Sequence, residues 1–181
     1  MKSAATEVTK PSTTCVTFRL SKEKLEQLRK AADALSISPN TLVNQIVKAH
    51  VNWHSMAAHA KLYYLPKSFL TKLLDALTND ELNELAMEMA KSDLVDICLF
   101  LRGEFNITSI TEIAETWLRI AQMSHRVEVT DDIYKIIIEH DMGSKYSYLI
   151  REIARHLLEV AFETKSSCDV TENAVIIKIE Q

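Results

Sequence analysis

Residues 14–20, TCVTFRL, alternate between apolar and polar side chains. In an extended chain Val16, Phe18 and Leu20 fall on one side and the intervening residues on the other. This period of two predicts one amphipathic β-strand. A lone strand leaves its backbone N–H and C=O groups unpaired, so the segment needs a partner strand.

Two helices are predicted directly after this strand. Ser21 is placed to cap the first, over about residues 22–35, and Ser38 with Pro39 is the expected start of the second. The break between them falls at Ser36 and Ile37. Apolar residues recur at helical spacing in both segments: Leu25, Leu28, Ala32 and Leu35, then Leu42, Val43, Ile46 and Val47.

A strand and two short helices form too small a unit to bury a stable core. A second copy would supply the missing surface if two strands paired antiparallel across a two-fold axis. The polar side of the resulting two-stranded ribbon would face outward, and such a ribbon fits the major groove of B-DNA. The alternative is that these elements form the edge of a larger α+β core.

The order strand, helix, short turn, helix over about residues 14–53 resembles the ribbon-helix-helix repressors of the CopG, MetJ and Arc type. The resemblance implies that Cys15, Thr17 and Arg19 face the bases, with Arg19 able to bind guanine O6 and N7 together. It implies phosphate binding by the backbone at the start of the second helix, over Ser38, Pro39, Asn40 and Thr41. Many members have glycine at the position of Ser36, where the chain turns left-handed.

The charge distribution agrees with a polyanion-binding N-terminus. Residues 1–50 contain eight lysines and arginines against four acidic residues, whereas the rest of the chain has 13 basic against 21 acidic residues. A basic end on an acidic body is typical of a nucleic-acid-binding head joined to a partner domain.

The remainder predicts a mainly helical body. With only two glycines and three prolines, long helices are favoured over the many turns of a β-sandwich. Four helix starts are expected, at Pro66, at Thr78 with Glu81, at Ser92, and at Ser109 with Glu112, and Gly103 ends the third helix. Strands over about 126–130, 134–140, 169–171 and 174–179, with a helix over 145–164, then form a ββαββ subdomain.

The predicted fold is therefore mainly α with an α+β C-terminal part. Residues 1–13 form a flexible arm, residues 14–54 the ribbon-helix-helix domain, and residues 55–181 a sensor or oligomerisation domain. No apolar run suits a membrane span or a signal peptide, which favours the cytoplasm. The three cysteines lie far apart in sequence; reduced thiols are expected, with Cys98 in the core.

Two clusters could carry chemistry outside the head. His50, His54 and His59 could share a helix face and hold a metal, although no matching cysteine or carboxylate pattern accompanies them, so no metal is predicted. A strand-to-helix turn is the candidate small-molecule site, with His140, Asp141, Gly143 and Ser144 as its residues; the alternative is an ordinary turn and helix cap. The sequence contains no catalytic motif, and neither an enzyme nor a cofactor is expected.

The sequence thus predicts a homodimeric transcriptional regulator, most plausibly a repressor, whose C-terminal part senses a small molecule or joins dimers into higher oligomers. The expected partners are double-stranded DNA and a second copy, with no membrane. Two other interpretations stay open. One is a DNA-organising accessory of the plasmid-partition or relaxosome type, and the other is a protein-interaction adaptor that uses the N-terminal unit only to dimerise.

Overall fold

The protein combines α-helices with one four-stranded antiparallel sheet in a computed structural model that describes residues 14–57, 60, 62–130 and 133–180. The mixture of helix and sheet is as predicted. The chain divides into two compact units, an N-terminal unit, Met1–Val47, and a C-terminal unit, Lys48–Gln181. The predicted flexible arm, residues 1–13, lies outside the described residues.

The N-terminal unit contains helices α1, Lys22–Ala34, and α2, Pro39–Ala49, whose last two residues cross into the next unit. Both serine caps are present: the Ser21 Oγ accepts from the Lys24 N–H at 3.3 Å, and the Ser38 Oγ accepts from the Thr41 N–H at 3.0 Å. The turn between the helices is left-handed at Ser36, with φ 55°. The sequence pattern therefore located both helices and the turn.

That turn is a Schellman motif. The Ile37 N–H donates to the Ala32 carbonyl at 3.0 Å, and the Ser36 N–H donates to the Asp33 carbonyl at 3.0 Å. Among the described residues of this unit, the buried apolar side chains are Ala32 and Leu42. Its core is therefore very small.

The C-terminal unit begins with a π-type turn, His50–His54, and a short helix α3, Ser55–Ala57. Helix α4, Lys67–Asp75, follows Pro66, and helix α5, Asn79–Glu88, begins with the predicted capping box between Thr78 and Glu81. A second π-type turn, Met89–Asp93, leads into α6, Leu94–Arg102, which ends at Gly103 with φ 77°. Helix α7 spans Ile107–Ile120. None of the helices in the described ranges is both long and apolar enough to cross a membrane.

Two of the four predicted helix starts are wrong. Ser92 does not begin a helix, because α5 passes into α6 through the π-type turn and the Ser92 hydroxyl donates to the Glu88 carbonyl at 3.0 Å. No glycine or proline interrupts this stretch. Ser109 lies inside α7, whose cap is Asn106: the Asn106 Oδ1 accepts from the Ser109 N–H at 2.8 Å. Asparagine caps as well as serine, and here it acts three residues earlier.

The sheet is built from two hairpins separated by a helix. Strands β1, Ser124–Val129, and β2, Ile133–Glu139, precede α8, Ser144–Arg155, and a third π-type turn, His156–Ala161. Strands β3, Ser166–Val170, and β4, Ala174–Glu180, complete the order β1-β2-β4-β3. The central pair aligns Ile136 with Ile177.

Helices and sheet of the C-terminal unit pack against each other through shared buried clusters. One buried cluster joins Leu74 of α4 and Leu82 of α5 to Tyr146 and Leu149 of α8. Another joins Leu158, after α8, to Ile179 of β4. The apolar stripes of α4 and α5 thus bury themselves against α8, which also contacts the sheet.

Candidate functional sites

Residues 14–20 belong to neither a helix nor the sheet, and all seven are exposed. Within the described part of the chain their backbone groups make no backbone hydrogen bond. Val16, Phe18 and Leu20 have exposed fractions of 65, 64 and 55%. A short segment with three uncovered large apolar side chains and unpaired backbone is suited to strand pairing with another chain.

Cys15, Thr17 and Arg19, the predicted base-facing residues, are exposed in the same segment, and Cys15 is a free thiol. A guanidinium with five donors can bind two acceptors of one base together, whereas a threonine hydroxyl makes a single bond. Arg19 is therefore the member of this set with the chemistry for the strongest discrimination between base pairs.

The start of α2 has one backbone donor suited to a phosphate. The Thr41 N–H is occupied by the Ser38 cap, and Pro39 has no N–H, which leaves the Asn40 N–H as the donor among the predicted residues. The Ser38 and Thr41 hydroxyls bond each other at 2.8 Å. The first turn of α2 contains no acidic residue, so its positive dipole end is not neutralised.

The predicted histidine cluster is only partly described. His50 and His54 lie in the π-type turn after α2, and the His54 Nδ1 lies 2.6 Å from the Tyr64 hydroxyl. His59 is outside the described residues. Across the residues that the structure describes, no three or more histidine, cysteine, aspartate or glutamate side chains group as metal ligands would.

The predicted ligand turn after β2 uses its polar groups internally. His140 is buried, its Nε2 lies 2.8 Å from the Ser147 Oγ, and its Nδ1 accepts from the Met142 N–H at 3.1 Å. The imidazole is thus the Nε2–H tautomer. Burial, with a smaller contribution from Lys67, lowers the pKa of His140, so the ring is neutral.

The remaining residues of this turn are also engaged. Asp141 forms an ion pair with Lys67, and the Gly143 N–H donates to the Asn173 Oδ1 at 3.0 Å. Gly143 has φ 81°, and Ser144 begins α8. Through their hydrogen bonds His140 and Gly143 connect β2, α8 and the β3–β4 turn, while the Asp141 side chain is 84% exposed.

Sequence reasoning missed a buried carboxylate on α8. Glu152 accepts from the Arg151 Nε at 2.9 Å and from the Arg155 Nε at 2.8 Å, and Arg155 also donates to Asn83 of α5 at 3.0 Å. Burial would raise the pKa of Glu152, but hydrogen bonds and charge from Arg155 and Arg151 outweigh it, so the pKa is lowered. This cluster connects α8 to α5. Charged residues on a helix usually indicate a solvated face, so the sequence carries no distinguishing signal.

The second missed feature is a cavity of about 1210 Å³ inside the C-terminal unit, termed the central cavity below. Its walls come from α7, α8, the sheet and the segment around Tyr63 and Tyr64. Both tryptophans of the chain, Trp53 and Trp117, line it. The apolar lining residues have the same spacing as core residues, which explains why the sequence alone assigns them to the core.

A scan against protein-family models found no match to this sequence, and a search of curated proteins found none either.

Proposed function

We propose that the protein is a homodimeric, sequence-specific regulator of transcription that binds double-stranded DNA through residues 14–20. The observation that carries this proposal is the exposed segment itself. Its apolar side chains, Val16, Phe18 and Leu20, are uncovered, and its backbone makes no bond to another described segment. Pairing two such segments across a two-fold axis would satisfy both needs and give an antiparallel ribbon of the width that enters the major groove.

The size of the N-terminal unit supports the same conclusion. The buried apolar residues Ala32 and Leu42 form only a very small core. Leu35, Ile46 and Val47 remain about half exposed. A unit of this size gains most of its stability from surface that it buries against a partner. A dimer that covers residues 14–20 and these three apolar residues would supply that surface.

Charge and helix geometry support DNA as the ligand of the dimer. The first fifty residues are basic against an acidic remainder. In each copy Arg19 would reach a base edge, while the N-terminus of α2, with its Asn40 N–H, would bind a phosphate. The C-terminal unit is assigned the role of a sensor or a dimer-joining domain, since it has its own core.

The test is selection of bound sequences from random DNA with the full chain, followed by comparison of Arg19→Ala with Arg29→Ala. Both remove one positive charge, but Arg29 lies on α1, outside the proposed ribbon. Arg19→Ala should lose about 1–3 kcal/mol of discrimination at one base pair of each half-site. Arg29→Ala should keep the selected sequence preference.

Other outcomes would contradict the proposal. Unchanged discrimination in Arg19→Ala would exclude the ribbon as the reading surface. A full chain with no salt-dependent DNA binding would favour the adaptor interpretation. Protection of clustered tandem repeats away from any promoter would favour the DNA-organising role over a regulator.

A further inference from the structure

The central cavity is too large to be a packing defect. Natural cores are as dense as organic crystals and contain few voids larger than one water molecule. Small-molecule sites, in comparison, measure roughly 300–1,000 Å³. At about 1210 Å³ the cavity exceeds even this range, so its size is that of a binding site and not of a packing void.

The side chains that line the cavity pack against buried clusters, yet part of their surface remains accessible. Trp117 packs against three separate buried clusters and is still only half-buried, because part of its ring faces the cavity. Ile150 and Ile177 each pack against two clusters and are likewise half-buried. Half-buried apolar surface of α7, α8 and the sheet thus lines one cavity.

The electrostatics of the walls disfavour an anionic ligand. Among the described lining residues, the ones that carry charge are Lys67, Glu139 and Asp141. Lys67 and Asp141 pair with each other, and Glu139 is exposed at the end of β2. No cation is therefore left to compensate a buried carboxylate or phosphate, and an uncompensated charge among apolar walls is strongly unfavourable.

One wall group has hydrogen-bonding capacity to spare. Tyr146 is buried on the cavity wall, and the partner of its hydroxyl is the Met123 sulfur at 3.8 Å, a weak acceptor. A buried hydroxyl normally donates to an oxygen. The Tyr134 hydroxyl, in contrast, already donates to Glu115 at 2.6 Å.

We propose that the central cavity binds a neutral, largely apolar small molecule, with the Tyr146 hydroxyl donating to an oxygen of that molecule. This deepens the sensor role proposed above. Only the regulatory consequence of ligand binding rests on the sensor role, because binding itself can be measured in the absence of DNA. Failure of DNA binding and failure of ligand binding are therefore separate results.

The first experiment titrates N-phenyl-1-naphthylamine into the full chain, with 8-anilinonaphthalene-1-sulfonate as the matched charged probe. The two share one aromatic framework and differ by a sulfonate. Because Trp53 and Trp117 both line the cavity, energy transfer from tryptophan reports occupancy. The neutral probe should saturate at one per chain, and the sulfonate should bind at least about tenfold more weakly. Equal affinities, or no saturation, would overturn the proposal.

The second experiment fills the cavity. Ala114 lines it, and Ala114→Phe should weaken binding of the neutral probe at least about tenfold without lowering the thermal unfolding midpoint, since the added ring occupies open volume. Ala76→Phe, at an exposed position after α4 that is not on the wall, is the control and should leave binding unchanged. A lowered midpoint or an unfolded chain for Ala114→Phe would mean a filled core, and the proposal would fail.

The third experiment tests the hydroxyl. Tyr146→Phe should weaken binding of Nile red, a neutral probe with a carbonyl oxygen, by about three- to tenfold. It should leave binding of N-phenyl-1-naphthylamine, which has no oxygen, unchanged. Equal effects on both probes would show that Tyr146 contributes only to the shape of the cavity, against the proposed hydrogen bond.

Discussion

The two units of the chain stabilise themselves in opposite ways. In the N-terminal unit the buried apolar side chains among the described residues are Ala32 and Leu42, and several large ones, among them Phe18, Leu35 and Ile46, stay exposed. The C-terminal unit buries clusters that join three or more elements each, around α8 and the sheet. The C-terminal unit therefore has an extensive core of its own, although it too exposes large apolar side chains such as Tyr63, Phe69 and Val160.

This difference teaches that an exposed apolar residue has a different meaning in each unit. Val129 of β1 and Phe18 are both 64% exposed. Val129 belongs to a strand already paired with β2, within a unit that has its own core. Phe18 belongs to a segment with no pairing in the described chain. Exposure alone does not identify an interface; in residues 14–20 it coincides with a backbone that makes no hydrogen bond to another described segment.

The largest expected effect comes from Phe18→Asp. If Phe18 is buried between two copies, each dimer loses two phenylalanine side chains worth about 2 kcal/mol apiece, which weakens dimerisation by roughly a thousandfold. Sedimentation equilibrium of the full chain over a range of concentrations measures this.

Val129→Asp is the control for Phe18→Asp, because the replaced side chain is equally exposed. It should leave the dimer intact. A dimer that survives Phe18→Asp but dissociates with Val129→Asp would reverse the comparison and place the interface on the sheet of the C-terminal unit.

The next effect, within the C-terminal unit, is that of Glu152→Ala. Without the carboxylate, Arg151 and Arg155 lie side by side with no counter-charge. The two arginine side chains are 35 and 39% exposed, so water partly offsets their mutual repulsion. We therefore expect the free energy of unfolding to fall by about 2 kcal/mol. Urea unfolding followed by tryptophan fluorescence measures it, since Trp53 and Trp117 both lie in this unit.

Glu159→Ala controls for the loss of one carboxylate near the end of the same helix, since Glu159 is exposed. Its expected cost is under about 0.5 kcal/mol. If the two variants lose equal stability, the Glu152 cluster does not connect α8 to α5 as its geometry indicates.

Local signals predicted much of the fold. Ser21, Ser38, and Thr78 with Glu81 start helices where expected, because each satisfies backbone groups within one turn of itself. At α7 the sequence analysis chose Ser109 and overlooked Asn106, whose Oδ1 accepts from the Ser109 N–H. The π-type turn that contains Ser92 contacts His156–Ala161, a contact remote in sequence that no local pattern contains.

The candidate functional sites also differ in how far the sequence predicted them. The sequence singled out Cys15, Thr17 and Arg19 from an alternation of two, and these residues are exposed together. It also singled out His140, whose bonds turn out to be internal, because a polar residue in a turn has the same pattern whether it binds a ligand or closes the turn. The central cavity depends on the distance between α7, α8 and the sheet, which apolar spacing does not encode.

The free energy of unfolding of the C-terminal unit should also depend on pH. Burial lowers the pKa of His140, and burial followed by the charge of Arg155 lowers the pKa of His156. The unfolded chain therefore binds more protons, and the free energy of unfolding falls as the pH drops below the ordinary histidine value. At pH 5.5 the loss is at most about 1.4 kcal/mol for each histidine. Urea unfolding at pH 7.5 and 5.5 measures it.

His140→Asn should reduce this pH dependence, because the amide oxygen can still accept from the Met142 N–H but does not titrate. An unchanged difference between pH 7.5 and 5.5 in this variant would show that protonation of His140 does not oppose folding.

The smallest effects use one substitution in both units. Ser36 and Gln122 each close a Schellman turn with a left-handed backbone, φ 55° and 53°, at the ends of α1 and α7. Glycine relieves the left-handed strain but adds freedom to the unfolded chain, so each replacement should stabilise its own unit by about 0.5 kcal/mol. Ser36→Gly should slow amide exchange in the last turn of α1 and leave tryptophan-monitored unfolding unchanged. Gln122→Gly should raise the free energy of tryptophan-monitored unfolding and leave amide exchange in α1 unchanged. If either substitution moved both signals, the units would unfold together, and the contrast between a partner-dependent head and a self-sufficient body would fail.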